Sequence, residues 1–327
     1  MRVLLTDPID PAGEVLLAGR AELLRAPDAG FDTVRRLARE ADAIIIRSPL
    51  PDDIFEVAHR IRAVTIHGTG TDLVPLESAN RHAVAVANLP GGNAQSVAEY
   101  CVMAMLVLSR SLLEIATQIR TKSWDETRAL GAKAHEIAGM TAGVVGVGEI
   151  GRRVATICRR GFGMRVLGNQ RRLDRLPKEA DPTSLEVLIG SSDFIVLSCP
   201  LTSETKHLFN HERISAMKPT AWLINVGRGA VVEEAALVAA LREKRIGGAM
   251  LDVYEHYRLE PGHPLLELDN AVLTPHLAGM TRESQGRVSL LAAEDTLRML
   301  AGERPRHLVN PEVWEAFTLR TASKEIP

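Results

Sequence analysis

The stretch Thr141-Ala142-Gly143-Val144-Val145-Gly146-Val147-Gly148-Glu149-Ile150-Gly151 decides the fold. Its first five residues are uncharged and mostly small or β-branched, the composition of a buried strand. Three glycines follow in the spacing G-x-G-x-x-G, and over 150–160 apolar residues recur at helical intervals. That glycine spacing between a strand and a helix marks a dinucleotide-binding turn. Gly146 allows the tight turn, Gly148 lets a pyrophosphate approach the backbone, and Gly151 lets helix and strand pack closely. The helix N-terminus, from Glu149 and Ile150, adds unsatisfied N–H groups and a partial positive charge. A glycine-rich turn without a ligand is the plain alternative, and the strand before it and the helix after it argue against that.

The alternation continues on both sides. Downstream, short apolar runs at 165–168, 194–198, 222–225, 248–251 and 271–273 read as strands, with helical patterns at 185–190, 212–217 and 234–243 between them. Upstream, strands are expected at 3–5, 43–46, 63–66 and 84–87, with helices at 12–18, 31–40, 51–60 and 75–80. Four-residue strands separated by helices of two or three turns imply βαβ units and parallel sheets covered on both faces. Between the two series, 93–119 reads as one long helix, apolar on most sides, which must be buried in a core or a subunit interface. A homodimer is the expectation drawn from it. A last helix over 283–300 is expected to fold back on the first series. The chain therefore reads as α/β with two doubly wound parallel-sheet domains, one from residues 1–93 and 281–327 and one from 94–280. A length of 327 residues, at roughly 150 per domain, points to the same number.

Composition narrows the class. Lys and Arg number 39 against 41 Asp and Glu, a net charge of −2, so the basic footprint of a nucleic-acid binder is missing. Apolar residues make up 46% and charged residues 24%, as in ordinary soluble domains, while aromatics at 4% leave the core to aliphatic side chains. The longest apolar run, 101–108, has 8 residues, against the ~18 of a membrane span. The opening MRVLLTDPIDP has no apolar region of a secretory signal. The 3 cysteines, Cys101, Cys158 and Cys199, lie far apart and suggest neither a disulfide framework nor a zinc site. A cytoplasmic protein with no metal, no nucleic-acid partner and no membrane is expected.

About 20 residues beyond the glycine turn, an NAD site presents Asp or Glu to the ribose 2′-hydroxyl. Here the strand ends in Gly168-Asn169-Gln170-Arg171-Arg172, with no carboxylate before Asp174. A carboxylate would repel a 2′-phosphate, whereas an amide with adjacent guanidiniums would hold it by charge-assisted hydrogen bonds. NADP is favoured over NAD, the plain alternative being that Arg171 and Arg172 are solvated surface charges.

Three later strands end in reactive side chains: Asn225-Val226-Gly227-Arg228-Gly229, Leu251-Asp252-Val253-Tyr254 and Leu273-Thr274-Pro275-His276. In open α/β sheets ligands bind at the carboxyl ends of the strands, so one Arg, one Asp and one His converge on the ligand edge. A hydride-transfer enzyme needs a cation to grip a substrate carboxylate and an acid–base group for the alcohol proton. Arg228 and His276 meet those needs. The other nine histidines, including His67 in the His67-Gly68-Thr69-Gly70 loop and His263 before Pro264, read as structural.

The segments HGTGTDLVPLESA, GGNAQSVAEY, GVGEIG, LSCPLTSETKHLFN, INVGRGAVVEEAAL, LDVYEH and HPLLELDNAVLTPHLAG resemble the D-isomer-specific 2-hydroxyacid dehydrogenase family and cover most of residues 47–280 in order. The resemblance implies a flavodoxin-like substrate domain built from both termini, a central Rossmann domain and an active site in the cleft. It implies that Arg228 binds the substrate carboxylate and His276 donates the proton. Substrate contacts would come from Thr69-Gly70, Ser48 and Asn93, and cofactor contacts from Glu149-Ile150, Gln170 to Arg172, Cys199-Pro200, Val226 to Arg228, Asp252, and His276 to Gly279. The implied activity is hydride transfer between NADP(H) and a small 2-oxo or 2-hydroxy acid, as in glyoxylate/hydroxypyruvate reductases. An NAD-dependent phosphoglycerate dehydrogenase is the alternative within the class, disfavoured by the ribose position and by the end of the chain at residue 327. A nucleotide-sensing corepressor is the alternative from another class, disfavoured because Arg228 and His276 are both present.

One position departs from the pattern. Family members place a Glu five residues after the equivalent of Asp252 and six before the His-Pro turn, to pair with the catalytic His; that position is Tyr257 here. A neutral phenol can orient an imidazole but cannot stabilise imidazolium as a carboxylate does. Tyr257 is therefore assigned to the catalytic group, with Glu255 and Glu260 as neighbouring carboxylates out of register and Glu255 expected to be able to swing in.

Overall fold

The computed structural model describes residues 1–322 and divides into two compact units, Met1–Asn93 with the described residues from Met280 on, and Ala94–Gly279. Residues 323–327, assigned above to the first domain, lie outside the described residues.

The first unit opens with β1 (Arg2–Leu5), α1 (Pro11–Ala18), β2 (Glu22–Arg25), α2 (Phe31–Ala38), β3 (Ala43–Ile46), α3 (Ile54–Val57), β4 (Ala63–Ile66), α4 (Leu76–Arg81) and β5 (Ala85–Ala87). All strands are parallel, in the order β2-β1-β3-β4-β5. That is the flavodoxin-like order, with its topological switch point between β1 and β3. The central strands are buried on both faces, and successive residues alternate between two cores: Ile44, Ile46, Val64 and Ile66 on one side, Ala43, Ile45 and Ala63 on the other. The edge strand β2 was not anticipated; in Glu22-Leu23-Leu24-Arg25 both ends are exposed, so it has no apolar run to reveal it. The expected helix over 51–60 shrinks to the single turn of α3.

The second unit begins with α5 (Ala94–Ser109), α6 (Leu112–Gln118) and α7 (Trp124–Ala129). The single helix expected over 93–119 is thus two, bent by 58° at the break. Ser111 sits in the left-handed region at φ +48° and cannot continue the helix. α5 is buried along most of its length, whereas α6 has no buried residue, which corrects the expectation of an all-round buried helix. Among the described residues no single helix is long and apolar enough to cross a membrane.

There follow β6 (Thr141–Val145), α8 (Glu149–Thr156), β7 (Arg165–Asn169), β8 (Asp181–Pro182), α9 (Leu185–Ser191), β9 (Phe194–Leu197), α10 (His211–Ser215), β10 (Trp222–Asn225), α11 (Glu234–Arg242), β11 (Gly248–Leu251) and β12 (Ala271–Leu273). The seven parallel strands run β12-β11-β10-β9-β6-β7-β8. Counted from the β8 edge this is the Rossmann order with one strand added, and its switch point falls between β6 and β9. Two cores flank the sheet; Ile224 and Val196 face the one under α5 and α8, while Leu223 and Ile195 face the other.

The chain then returns to the first unit as α12 (Arg282–Leu300) and ends with α13 (Trp314–Ala322). α12 packs on α1 and across β3, β4 and β5. A buried hydrogen bond joins Thr65 of β4 to Thr296 of α12 at 2.7 Å; Thr296 donates its own proton to the Ala292 carbonyl, so Thr65 is the donor.

Candidate active site

The glycine turn sits at the switch point of the seven-stranded sheet. Gly146 has φ +88°, and a Cβ there would lie 2.5 Å from the Cys199 amide nitrogen at the end of β9. A Cβ on Gly151 would lie 2.6 Å from the Gly146 carbonyl, so glycine is required for α8 to approach the turn. Gly148 differs: a Cβ there meets no protein atom within 4 Å, and no side chain caps the helix that it opens. The first amides of α8 therefore face an open approach whose floor is backbone, the arrangement that fits a pyrophosphate. Ser198 Oγ donates to the Gly146 carbonyl at 2.8 Å and the Gly146 amide donates to the Asn169 carbonyl at 2.8 Å, tying β6, β7 and β9 at this point. Glu149 is drawn along the helix by Arg153 at 2.9 Å. Cys199 is packed against the turn, and burial pushes its thiol up to about 11, so at neutral pH it is an inert filler.

The end of β7 runs Gly168-Asn169-Gln170-Arg171-Arg172, with no carboxylate in sequence before Asp174. Asn169 Nδ2 donates to the Thr183 carbonyl at 2.9 Å and Gln170 Nε2 to the Arg172 carbonyl at 2.7 Å. The Arg172 guanidinium makes two bonds to Asp174, at 3.2 and 2.9 Å, and holds that carboxyl below its usual range. Arg171 is exposed on the same turn.

Arg228 owes its place to a residue that sequence reasoning passed over. Asn225, buried at the end of β10, accepts from the Gly227 amide at 3.1 Å and donates to the Arg228 carbonyl at 3.0 Å, closing the Val226-Gly227-Arg228 turn. Gly229 lies so close to the chain after β11 that a Cβ would fall 1.8 Å from the Tyr254 carbonyl carbon. β10 and β12 flank β11, which places the ends carrying Arg228 and His276 roughly 10 Å apart, two strand spacings.

His276 itself adopts a left-handed conformation, φ +54°, rare for a residue with a Cβ. Asp252, buried at the end of β11, accepts from Thr274 Oγ1 at 2.7 Å, the Leu277 amide at 2.8 Å and the Ala278 amide at 2.8 Å. Expected among the cofactor contacts, its carboxylate is directed at the turn that carries His276. The ring of Tyr257 meets the His276 ring edge-on, 6.0 Å between centroids at 66°. Glu255 is bound to His207 Nε2 at 2.9 Å. His263 reads as structural: its Nδ1 accepts from the Leu265 amide at 3.3 Å, so its Nε2 carries the proton and donates to Glu234 at 2.9 Å. Gly279 ends the unit. Among the described residues no group of His, Cys, Asp and Glu is placed to hold a metal ion.

In the first unit, the loops at the carboxyl ends of β1, β3 and β4 hold the remaining candidates. Ser48 donates to Asp7 at 3.0 Å across the switch point, and Thr6 donates to the same carboxylate at 2.8 Å. Asn88 Nδ2 donates to the Thr69 carbonyl at 2.7 Å and the Leu89 amide to Gly68 at 2.7 Å, bracing the loop of Thr69 and Gly70. Asn93 is the last residue of this part of the unit. His67, in the same loop, is half-buried and bonded to Ser289 Oγ at 2.7 Å; desolvation brings its pKa down to about 4, so it is a neutral structural imidazole at neutral pH.

Residues 102–278 match the profile of the D-isomer specific 2-hydroxyacid dehydrogenase NAD-binding domain. The chain belongs to the D-isomer-specific 2-hydroxyacid dehydrogenase family. A glyoxylate reductase of Aeropyrum pernix is 39% identical over 86% of this chain and 87% of its own length. A D-3-phosphoglycerate dehydrogenase of Methanocaldococcus jannaschii is 32% identical over 95% of this chain, which spans 59% of that protein. Among solved structures, an NADPH-dependent glyoxylate/hydroxypyruvate reductase of Sinorhizobium meliloti, in complex with NADP and malonate, superposes with a TM-score of 0.81 at 27% identity over 94% of this chain and 96% of that one. As a 2-hydroxyacid dehydrogenase the chain is an NAD(P)-dependent oxidoreductase acting on CH–OH groups. Within it the carboxyl edge of the seven-stranded sheet gathers the glycine turn, Arg228, His276 and Tyr257, while the carboxyl edge of the five-stranded sheet gathers Ser48 and the Thr69-Gly70 loop.

Proposed function

We propose that this 2-hydroxyacid dehydrogenase is an NADPH-preferring reductase of small 2-oxo acids, glyoxylate or hydroxypyruvate, giving the D-2-hydroxy acid. The observation that carries the cofactor preference is the end of β7, where Asn169, Gln170, Arg171 and Arg172 stand in place of a carboxylate. A ribose 2′-phosphate brings −1.5 to −2 charges by analogy with other phosphomonoesters, and Arg171 offers it a guanidinium on an exposed turn. Arg172 reaches it by exchanging Asp174 for the more highly charged phosphate.

A bound nicotinamide supplies the hydride to the carbonyl carbon. Arg228 holds the substrate carboxylate, and His276 delivers the proton to the carbonyl oxygen as the alcohol forms. The turn made by Asn225 and the close passage of Gly229 fix the backbone from which Arg228 extends, so the cation is aimed before substrate arrives. Gly146, Gly148 and Gly151 leave the backbone amides of α8 open to the pyrophosphate. Tyr257 meets His276 with a ring edge, orienting it without adding negative charge. Roles for Ser48, Thr69, Gly70 and Asn93 toward the substrate rest on the family resemblance.

The test is a panel of 2-oxo acids assayed by nicotinamide absorbance, with NADPH and NADH side by side. Turnover of glyoxylate or hydroxypyruvate with NADPH at least tenfold above NADH in kcat/KM is expected. A preference for NADH would overturn the argument from Gln170, Arg171 and Arg172, and turnover restricted to 3-phosphohydroxypyruvate would favour the phosphoglycerate dehydrogenase reading, to which the relative spanning 95% of the chain lends weight.

A further inference from the structure

The chain contains only 3 tyrosines, and all of them meet the same turn. Tyr257 lies edge-on to His276. Tyr254 donates its hydroxyl to the Thr274 carbonyl at 2.8 Å, an oxygen that also receives the His276 amide at 3.0 Å. Tyr100, buried on α5, stands 2.5 Å from Thr274 Oγ1. The direction of that last bond follows from the rest of the network. The Asp252 carboxylate can only accept, so the Thr274 hydroxyl donates its proton there, at 2.7 Å. Tyr100 must then be the donor to Thr274. The result is an oriented run, Tyr100 O–H to Thr274 Oγ1, Thr274 O–H to Asp252 Oδ1, with Oδ1 also receiving the Leu277 amide and Oδ2 the Ala278 amide.

His276 is thus bracketed. The residue two places before it and the two residues after it are bonded to one buried carboxylate, which leaves the chain between them no extended alternative. That is how a left-handed conformation, costly for any residue with a Cβ, is held where it is needed.

We propose that Tyr100 and Thr274 are positioning residues of the reaction, acting through Asp252 to preset the left-handed turn from which His276 reaches the substrate oxygen. Burial pushes the Tyr100 hydroxyl well above the usual phenol range and that of Tyr254 up to about 12, so both remain proton donors throughout the working range of the enzyme. The bracket needs no change in the bonds of the substrate; its contribution is that the imidazole needs no search, and a misplacement of about 1 Å at a proton donor can cost up to ~100-fold in rate.

The proposal rests on the reading of His276 as the proton donor, and the variants separate the two. Steady-state kinetics with glyoxylate and NADPH are measured on the full chain for Tyr100→Phe, Thr274→Val, Thr274→Ser and His276→Ala, with melting temperatures alongside. Tyr100→Phe and Thr274→Val are expected to lower kcat about tenfold, with KM for both substrates within about twofold of the parent. Thr274→Ser, which keeps the hydroxyl, is expected to retain at least half of the parent kcat. If Thr274→Val does not fold, the comparison of Tyr100→Phe with Thr274→Ser carries the test. An inactive His276→Ala beside a Tyr100→Phe of unchanged kcat would overturn the bracket and leave the proposed function standing. Equal losses in Thr274→Val and Thr274→Ser, or a rise in coenzyme KM with kcat unchanged, would also overturn it. An active His276→Ala would overturn the underlying reading itself.

Discussion

His276 and Tyr257 show how one substitution of residue type alters the chemistry available at an unchanged backbone position. A carboxylate beside an imidazole favours imidazolium and raises its pKa, whereas a neutral ring edge does not. Replacing Tyr257 by Glu is therefore expected to raise the pKa of His276. In the reducing direction, where the protonated imidazole is needed, the alkaline limb of the pH–rate profile should move to higher pH by about one unit; in the oxidising direction the acidic limb should move up by the same amount. Limbs that stay in place would show that Tyr257 does not act on His276. His67 illustrates the opposite use of the same side chain. Its pKa is lowered to about 4 by burial, below the ordinary 6.5, so protons bind the unfolded chain more tightly than the folded one. Its effect on stability is negligible above pH 6.5 and increasingly destabilising as pH falls, reaching about 3 kcal/mol at pH 4. Melting curves at pH 7 and pH 5 should show a smaller acid-induced drop for His67→Asn than for the parent; equal drops would refute the assignment.

Among the elements, α5, α6 and α7 carry the largest discrepancy between pattern and packing. α5 does bury most of its surface against α8 and the sheet. Yet Met103, Leu106, Leu112, Leu113, Ile119 and Trp124 remain exposed along the three helices, Trp124 by 68%. A run of large apolar side chains exposed in this way marks an interaction surface. We propose that a second copy of the chain covers it, so that the protein is a homodimer through this face. Light scattering at micromolar concentration should give about twice 35.6 kDa for the parent, and the double change Leu112→Glu with Leu113→Glu should return the mass to that of one chain. A parent of single-chain mass would remove the proposal.

For the whole molecule, two doubly wound sheets place every candidate functional residue on a carboxyl edge. The mechanism needs nothing from the opposite edges, which accords with ligand sites of open α/β sheets lying at the switch points. The first unit achieves its order with five strands and the second with seven, and the cores of each sheet are built mainly from aliphatic side chains, with a buried aromatic such as Phe55, Phe194, Phe209 or Phe317 in each.

Much of this was legible in the amino-acid order alone. Buried parallel strands must be short apolar runs, so 43–46, 63–66, 141–145, 222–225, 248–251 and 271–273 could be read to the residue. The glycine turn was legible because its spacing encodes backbone conformation directly, and the placement of Arg228 and His276 just beyond strand ends because the apolar runs before them mark β10 and β12. The exposed edge strand Glu22–Arg25 was not legible, since an edge open to water needs no apolar run, and neither was the break at Ser111, since a left-handed serine leaves no mark in hydrophobic periodicity. The partners of Asp252, Glu255 and Tyr100 lie beyond any local pattern: hydrogen bonds between residues as distant as Tyr100 and Thr274 depend on where separate elements come to rest, and only the packed structure sets that.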